Sequence, residues 1–231
     1  MDAHAAQAML DKIIGQIFGY KNPLSLDQFR QKYAFDVRLP QQVNDTTTGE
    51  LTWTQSANPT KFITTQNAWN RLDWDTMPKR ELNSISDILA AWNEVNYTST
   101  ERHIDSLNVA ESDNIYTSEN VYRSQDINDS KNVLFSDGTF GCDNVAAAQR
   151  SKALSFCARV EDSKECSNSF AVTWSKKIVN SLFIEDCGDM YECMFCSHIT
   201  NKKFYIANAQ YTEEEYRRAK DMVIRWVLTS A

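Results

Sequence analysis

The chain has 231 residues, of which 42% are apolar, and its formal net charge is −7. That length allows one large or two modest domains. No apolar run approaches the roughly 18 residues of a membrane span and no signal-peptide apolar region is present, so we expect neither membrane association nor secretory export. The acidity argues against direct binding to a nucleic-acid backbone.

Two helices are predicted at the start of the chain. The first covers residues 3–18, where apolar residues recur at helical spacing, and Gly19 ends it. The second follows Ser25 and ends near Tyr33, because the segment from Ser25 to Gln28 has the spacing of a capping box. Since an apolar helix face needs a partner, we expect the first helix to dock on a neighbouring domain or subunit.

A β-hairpin is predicted over residues 35–54. Apolar and polar residues alternate from Phe35 to Leu39, and they alternate again around Leu51 and Trp53. Pro40 is expected to end the first strand, and residues 44–49 supply the turn between the two strands.

The segment from Phe62 to Asp105 leads into the second half of the chain. Its first part is less regular, and Trp69, Trp74 and Met77 predict a loop held by aromatic contacts. Ser84 then caps a helix that runs to about Val95. We expect this helix to be buried between a small N-terminal domain and the following coil, although the aromatic residues of the segment could instead line a ligand pocket. Its apolar residues at helical spacing are Ile85, Ile88, Leu89 and Trp92.

A six-residue unit repeats from Ser106 to about His198, with Ser or Cys at its first place and usually Val or Ile at its fourth. One inward residue in every three fits neither the two-residue alternation of a flat strand nor a helical period of about 3.6. The many Ser, Asn and Asp residues are also poor helix formers. Self-similarity at a short fixed period therefore predicts a mainly β protein with a β-solenoid, in which very short strands wind into a narrow coil.

The repeat also predicts details of the coil. After residue 150 a Ser-Lys pair recurs every second unit, which favours turns of two units and seven or eight turns in all; the alternative is a left-handed hexapeptide helix with three units per turn. The extra residues 148–150 keep the three-residue phase but break the unit, so a bulge is predicted at one corner. Asn, Asp or Gly at the third place predicts corners whose side chains form hydrogen-bonded ladders.

All six cysteines fall on the inward three-residue phase, at Cys142, Cys157, Cys166, Cys187, Cys193 and Cys196. Buried free Cys behaves as a small apolar residue, and we favour that structural interpretation. The alternative is a metal site, because Cys193 and Cys196 form a CxxC motif with Cys187 and His198 nearby. With the structural interpretation favoured, we assign no metal, cofactor or catalytic residue, and without an export signal we expect no disulfides.

The three-residue phase is lost at Lys202, so a distorted last coil is predicted up to about residue 210. The segment from Thr212 to Glu215 is another capping box and opens a helix with one apolar face. We expect this helix to cap the end of the coil, where unpaired strand edges would otherwise be exposed. The predicted parts are an N-terminal α+β domain at 1–100, the β-solenoid at 101–210 and the capping helix at 211–231.

The C-terminal third of the chain resembles solenoid proteins encoded by bacteriophages and uncultured bacteria. The residues that carry the resemblance are Glu192-Cys193-Met194-Phe195-Cys196-Ser197-His198, then Asn201-Lys202-Lys203-Phe204-Tyr205-Ile206-Ala207-Asn208 and Gln210-Tyr211. The resemblance covers about residues 106–225 and implies a Cys-containing final coil, an Asn-Lys-Lys turn and an acidic capping helix. It implies no particular activity.

The function that these features favour is that of a non-enzymatic structural or interaction protein. We expect a phage virion component, such as a capsid decoration or neck protein, found in the virion or the cytoplasm. Its partners would be protein partners, either further copies of itself as a homo-oligomer or virion shell and neck proteins. The predicted rigid rod, the apolar N-terminal helix and the absence of a catalytic motif in the sequence motivate this hypothesis.

Two alternative functions remain. The first is an acidic DNA mimic that inhibits a DNA-handling enzyme, for which the acidic residues at second places would have to line one face of the rod: Asp113, Glu119, Asp137 and Asp143. Lysines interrupt that series. The second is an acyltransferase of the hexapeptide-repeat kind, which needs a positioned histidine base, and only His4, His103 and His198 are available.

Overall fold

The computed structural model describes residues 1–58, 61–71 and 76–229. It is mainly β, with a β-solenoid of about 9 turns, a few N-terminal helices and one C-terminal helix, so the predicted solenoid is confirmed. The helices are α1 Ala3–Phe18, α2 Leu26–Tyr33, α3 Thr65–Trp69, α4 Ile85–Val95 and α5 Glu213–Thr229.

Four strands precede the solenoid, and seventeen form it. The first four are β1 Gln41–Asn44, β2 Leu51–Thr54, β3 Lys61–Thr64 and β4 Tyr97–Thr100. The solenoid strands are β5 His103–Ile104, β6 Leu107–Ala110, β7 Asp113–Tyr116, β8 Glu119–Tyr122, β9 Gln125–Asn128, β10 Lys131–Leu134, β11 Asp137–Phe140, β12 Asp143–Lys152, β13 Ser155–Glu161, β14 Ser167–Thr173, β15 Lys176–Val179, β16 Leu182–Glu185, β17 Gly188–Tyr191, β18 Met194–Ser197, β19 Thr200–Lys203, β20 Tyr205–Ile206 and β21 Ala209–Gln210.

The solenoid strands β5 to β20 pair in parallel, and paired residues are twelve positions apart; only the last described strand, β21, pairs antiparallel, with β20. Val109 pairs with Val121, Val121 with Val133, and Val133 with Val145. We call such a series of residues twelve apart a stack. Within the solenoid one residue in three has a positive φ, which turns the chain at each corner. The residues at every third position therefore point inward, where they form one apolar core along the coil.

The inward serines satisfy the backbone at the corners. The Ser124 hydroxyl donates to the carbonyl oxygen of Tyr122 at 2.9 Å and accepts from the backbone N–H of Ser136, one layer on, at 3.0 Å. The same pair of bonds recurs at Ser112 and Ser118. Buried backbone groups need such partners, which explains why the first place of the unit prefers Ser to Ala.

The predicted corner ladders are confirmed. The side-chain amide of Asn108 donates to that of Asn120 at 2.6 Å, and Asn120 donates to Asn132 at 3.0 Å. The sequence did not reveal the second set of corners, at the sixth place of the unit, where residues as different as Arg123 and Phe135 have positive φ. A left-handed conformation is costly for such side chains, so neighbouring layers must impose it.

The extra residues 148–150 exchange the roles of the inward stacks, and the predicted bulge is wrong. The spacing of twelve continues through them, since Asp137 pairs with Gln149 and Ala148 with Val160. Because the units resume three residues late, a stack that begins with serine continues with aliphatic residues: Ser112, Ser124, Ser136, Ala148, Val160, Val172, Ile184. Another changes in the opposite sense: Ile115, Ile127, Thr139, Ser151, Ser163, Ser175. Small and large residues thus stay balanced within the core.

A second apolar cluster lies outside the coil, on what we call the covered side. There α1, α2 and α5 pack over one outward stack: Tyr122, Leu134, Ala146, Ala158, Phe170, Leu182 and Met194. The rings of Phe18 in α1 and Tyr33 in α2 lie 5.3 and 5.0 Å from that of Phe170. The predicted docking of α1 is thus made on the solenoid of its own chain.

The C-terminal helix α5 lies along the covered side. The Tyr216 ring lies 5.6 Å from Phe204 near the last turn, and the Trp226 ring lies 5.9 Å from Phe183. Further along, the Val227 carbonyl accepts from the hydroxyl of Tyr33 at 2.6 Å. The capping box at Thr212 is confirmed. The role of α5 as an end cap stays a prediction, since these contacts follow the side of the coil.

The predicted hairpin has the expected turn but a different first strand. Residues 35–39 form no strand, and β1 lies at Gln41–Asn44, where Val43 pairs with Thr52 of β2. The tight turn at 44–49 determines which residues form the first strand, because only the residues directly before it are close enough to pair with β2. The polar face of β2 is the buried one, since Thr52 and Thr54 are buried while Leu51 is exposed.

Polar contacts join this hairpin to the start of the solenoid. The Thr52 and Thr100 hydroxyls lie 2.7 Å apart, and the buried Asp113 carboxylate accepts from the backbone N–H of Gln55 at 2.9 Å. The guanidinium of Arg102 pairs with the same carboxylate at 2.9 Å. A buried carboxylate requires such partners, so Asp113 links the N-terminal segment to the first turns.

The remaining helix predictions hold in position. The structure confirms α1 with its Gly19 end, α2 with its Ser25 capping box and α4 with its Ser84 cap. Trp69 ends the short helix α3 and is exposed, whereas Trp74 lies outside the described residues. Among the helices that the structure describes, none combines the length and the apolar character that crossing a bilayer requires.

Candidate interaction surface

The three histidines lie in different parts of the fold. His4 is exposed on α1, His103 begins the first solenoid strand, and His198 follows β18 near the last turn. The Nε2 of His103 lies 2.8 Å from the carbonyl oxygen of Ser112, and burial lowers the pKa of this imidazole. The structure does not bring these three residues into one site, so nothing in their geometry favours the acyltransferase hypothesis.

The six cysteines are free and buried, as the structural interpretation predicted. Each thiol donates to the carbonyl oxygen two residues before it, as the serine hydroxyls do; the Cys187 Sγ lies 3.2 Å from the Glu185 oxygen. Burial raises the pKa of Cys142 and of Cys166 to about 11. Because the thiolate is the form that binds metals or attacks substrates, burial makes Cys142 and Cys166 poor metal ligands and poor nucleophiles.

The proposed metal ligands do not assemble. Cys187, Cys193 and Cys196 belong to three different inward stacks, and His198 is exposed. The thiols of Cys193 and Cys196 interact, and this interaction raises the pKa of Cys193 and lowers that of Cys196 to about 7. Over the described segments 1–58, 61–71 and 76–229, no three Cys, His, Asp or Glu side chains are arranged to hold a metal ion.

The four acidic residues of the DNA-mimic hypothesis do not form one column. Asp113 and Asp137 belong to one stack, with Gln125 between them, whereas Glu119 and Asp143 belong to another, with Lys131 between them. Asp113 is moreover buried against Arg102. A regular acidic face is therefore missing at these four positions, and no observation favours this hypothesis.

The surface that stands out is one face of α4, formed by Ile85, Ile88, Leu89 and Trp92, which we call the α4 face. The prediction that this helix is buried is wrong, since no residue of α4 is buried and Ile85 and Trp92 are 72% and 57% exposed. Single exposed apolar residues are ordinary, but four at adjacent positions of one helix form a contiguous patch. Such patches mark sites of contact with other molecules.

Local contacts hold α4 in a defined conformation. The Ser84 hydroxyl caps its first turn, and the Asp87 carboxylate accepts from the backbone N–H of Asn83 at 3.0 Å. The guanidinium of Arg80 binds both carboxylate oxygens of Glu94, at 2.8 and 2.9 Å. Residues 77–82 thus lie along α4 and leave a shallow groove of about 400 Å³ beside it. The helix is formed before any partner binds.

Sequence reasoning identified the residues of the α4 face but assigned them to a core. An apolar stripe at helical spacing shows only that the helix has an apolar partner. It does not show whether the partner belongs to the same chain. The stripe of α1 contacts its own solenoid, whereas the stripe of α4 faces solvent.

The fold places this chain in the class of β-solenoid proteins. Comparison with protein-family models, with curated proteins and with solved structures finds no match. The resemblance of its C-terminal third to phage and bacterial solenoid proteins therefore stays a prediction.

Proposed function

We propose that this chain is a non-enzymatic interaction protein that binds a partner protein through the α4 face, as a capsid decoration or neck component of a bacteriophage particle. The α4 face is the observation that supports the proposal. It exposes four large apolar side chains on a helix that is already formed, so binding would require little ordering of the chain.

The spacing of the α4 face defines the chemistry of the partner. Ile85, Ile88, Leu89 and Trp92 occupy positions i, i+3, i+4 and i+7, which are the anchor positions of a helix that lies in an apolar groove. The proposed partner is therefore a protein with such a groove. Trp92 is its natural anchor, because large aromatic side chains dominate binding energy at protein interfaces.

The solenoid would serve as a rigid spacer in such an assembly. In this proposal each turn consists of two six-residue units, residues 1–100 present the binding helix, and α5 shields the last turns. The serine and asparagine ladders support the rigid role, since they bind each layer to the next.

Particle association tests the proposal. Particles would be produced from the genome that encodes the chain, with the chain either unchanged or carrying Leu89→Asp, and purified on a density gradient. We expect the unchanged chain in the particle fraction at a fixed ratio to the major shell protein, and the variant at less than about a tenth of it, because a charge in an apolar interface leaves an unpaired buried group. Ser86→Ala, at an exposed position of the same helix, is the matched control.

Three outcomes would contradict the proposal. The chain could be absent from purified particles, which removes the virion role. Both variants could be retained equally, which removes the α4 face as the contact. Light scattering of the purified chain could show a stable dimer that Leu89→Asp dissociates, in which case the partner is a second copy of this chain.

A further inference from the structure

None of the described helices covers the side of the solenoid that lies half a turn from the covered side, and we call it the bare side. Its outward stack contains Phe140, Lys152, Lys164 and Lys176, each six positions from a residue of the covered stack. A shallow groove of about 610 Å³ runs between this stack and the neighbouring corner stack, which contributes Asp126, Gly138, Arg150, Asp162 and Trp174. Four layers contribute to it between Phe140 and Lys176, so it is about 14 Å long.

The lysines of this groove repel one another, because they stand in adjacent layers of one stack. Lys152 pairs with Lys164, and Lys164 with Lys176, in adjacent parallel layers. Like charges directly opposite each other destabilise a sheet. Lys176 is relieved by Glu165 at 3.7 Å, but among the described residues neither Lys152 nor Lys164 has a carboxylate within ion-pair distance. Two ammonium groups thus remain available for an anionic ligand.

The groove also contains two exposed aromatic side chains. Trp174 is 60% exposed, and Phe140 lies at the other end of the groove, three layers away. The Asp162 carboxylate binds the Arg150 guanidinium at 2.9 and 2.8 Å, and these bonds lower the pKa of Asp162. A large part of the Trp174 indole is therefore in solvent, beside a neutralised Arg150–Asp162 pair.

We propose that the groove on the bare side binds an acidic oligosaccharide along the axis of the coil. The apolar C–H faces of sugar rings stack on indole and phenyl rings, so Trp174 and Phe140 are suited to hold the two ends of a short chain. Lys152 and Lys164 would pair with carboxylates of the ligand between them. The carboxylates of the ligand would then offset the repulsion between these lysines, which explains why the lysines are stacked.

The charges in the groove favour a sugar chain over a nucleic acid. A single-stranded nucleic acid also uses aromatic platforms, but it carries one phosphate per nucleotide and needs a groove of consistently positive charge. Here Arg150 is neutralised by Asp162, and Asp126 adds a further negative charge. A carboxylate repels phosphates but accepts hydrogen bonds from hydroxyl groups, which sugars provide in abundance.

An array of immobilised oligosaccharides tests this proposal with the full chain. The array would carry fragments of hyaluronate, alginate, polygalacturonate and sialylated chains, together with chitin fragments as neutral counterparts and oligothymidylate as the nucleic acid. We expect binding to at least one acidic oligosaccharide and none to chitin fragments. Calorimetry with the best ligand should then give a Kd that Trp174→Ala and Lys164→Gln each weaken by about tenfold or more.

Matched controls separate the groove from the general surface. Trp69→Ala removes another exposed tryptophan and Lys131→Gln another exposed solenoid lysine, and both should leave Kd within about twofold. The proposal is overturned if no acidic oligosaccharide binds, if oligothymidylate binds more tightly, or if Trp174→Ala leaves Kd unchanged. Circular dichroism of each variant would show that the solenoid is intact. The α4 face takes no part, so Leu89→Asp should bind the sugar normally even if the proposed function fails.

Discussion

The covered side and the bare side belong to the same coil and differ only in what lies against them. On the covered side Phe170 is 1% exposed beneath α1 and α2, whereas Trp174, four residues later, is 60% exposed on the rim of the bare side. The inward residues are of the same kinds in both halves of each turn. The inward residues therefore determine that the chain forms a coil, whereas the outward residues determine which side of the coil the helices cover.

The largest expected effect contrasts these two aromatic residues. Phe170→Ala should lower the free energy of unfolding by about 3–5 kcal/mol, because it removes a buried ring and leaves a cavity beneath the helices. Trp174→Ala should change it by less than about 0.5 kcal/mol, since the indole rests on the surface. Denaturant unfolding followed by circular dichroism measures both values. Similar losses for the two variants would show that the bare side is also held by packing.

The inner core could be predicted from the sequence because a three-residue period fits a solenoid and neither a helix nor a flat strand. Only a chain wound in short straight segments turns one residue in three inward, so the repeat predicts correctly that Cys166 and Ser124 are buried. The exchange of stacks at residues 148–150 was not foreseen. In the sequence, a three-residue insertion interrupts the six-residue pattern. In the coil, pairing continues every twelve residues, so the insertion only moves the pattern onto the next inward stack.

The N-terminal segment was harder to predict because several patterns compete there. Alternation at Phe35–Leu39 indicated a strand, but the turn at 44–49 selects the residues next to it for pairing. Apolar stripes predict the positions of α1 and α4 correctly, yet only the structure shows that α1 has a partner within the chain and α4 has none among the described residues. The apolar character of the covered stack, which includes Ala158 and Phe170, is explained by the helices that cover it.

A second prediction compares a residue inside the coil with one outside it. Ser124→Ala should lower the free energy of unfolding by about 1–3 kcal/mol, because the buried N–H of Ser136 loses its acceptor and the Tyr122 carbonyl loses a donor. Ser155→Ala, at an exposed position of β13, is the matched control and should stay within about 0.5 kcal/mol. Hydrogen exchange at the amide of Ser136 gives an independent readout, and equal protection in both variants would contradict the role assigned to the serine ladder.

The smallest expected effect concerns an ion pair at the edge of the covered side. Arg159 of the coil binds the Asp36 carboxylate with both guanidinium nitrogens, one of them at 2.6 Å, and this bond holds the pKa of Asp36 below its usual range. A carboxylate with a lowered pKa in the folded state stabilises it above its unfolded pKa of about 3.9, and that contribution is lost as the pH falls through the folded value. Because the pair is partly exposed, we expect it to contribute less than about 1 kcal/mol to the free energy of unfolding.

The measurement is the change in the free energy of unfolding between pH 6 and about pH 3. Wild type should lose more stability on acidification than Asp36→Asn, because the variant has no carboxylate to protonate. Asp189→Asn is the matched control for removing one surface carboxylate, since Asp189 lies 3.6 Å from Lys177. If Asp36→Asn loses as much as wild type, the ion pair does not stabilise the contact between the N-terminal segment and the coil, and the covered side depends on its apolar cluster alone.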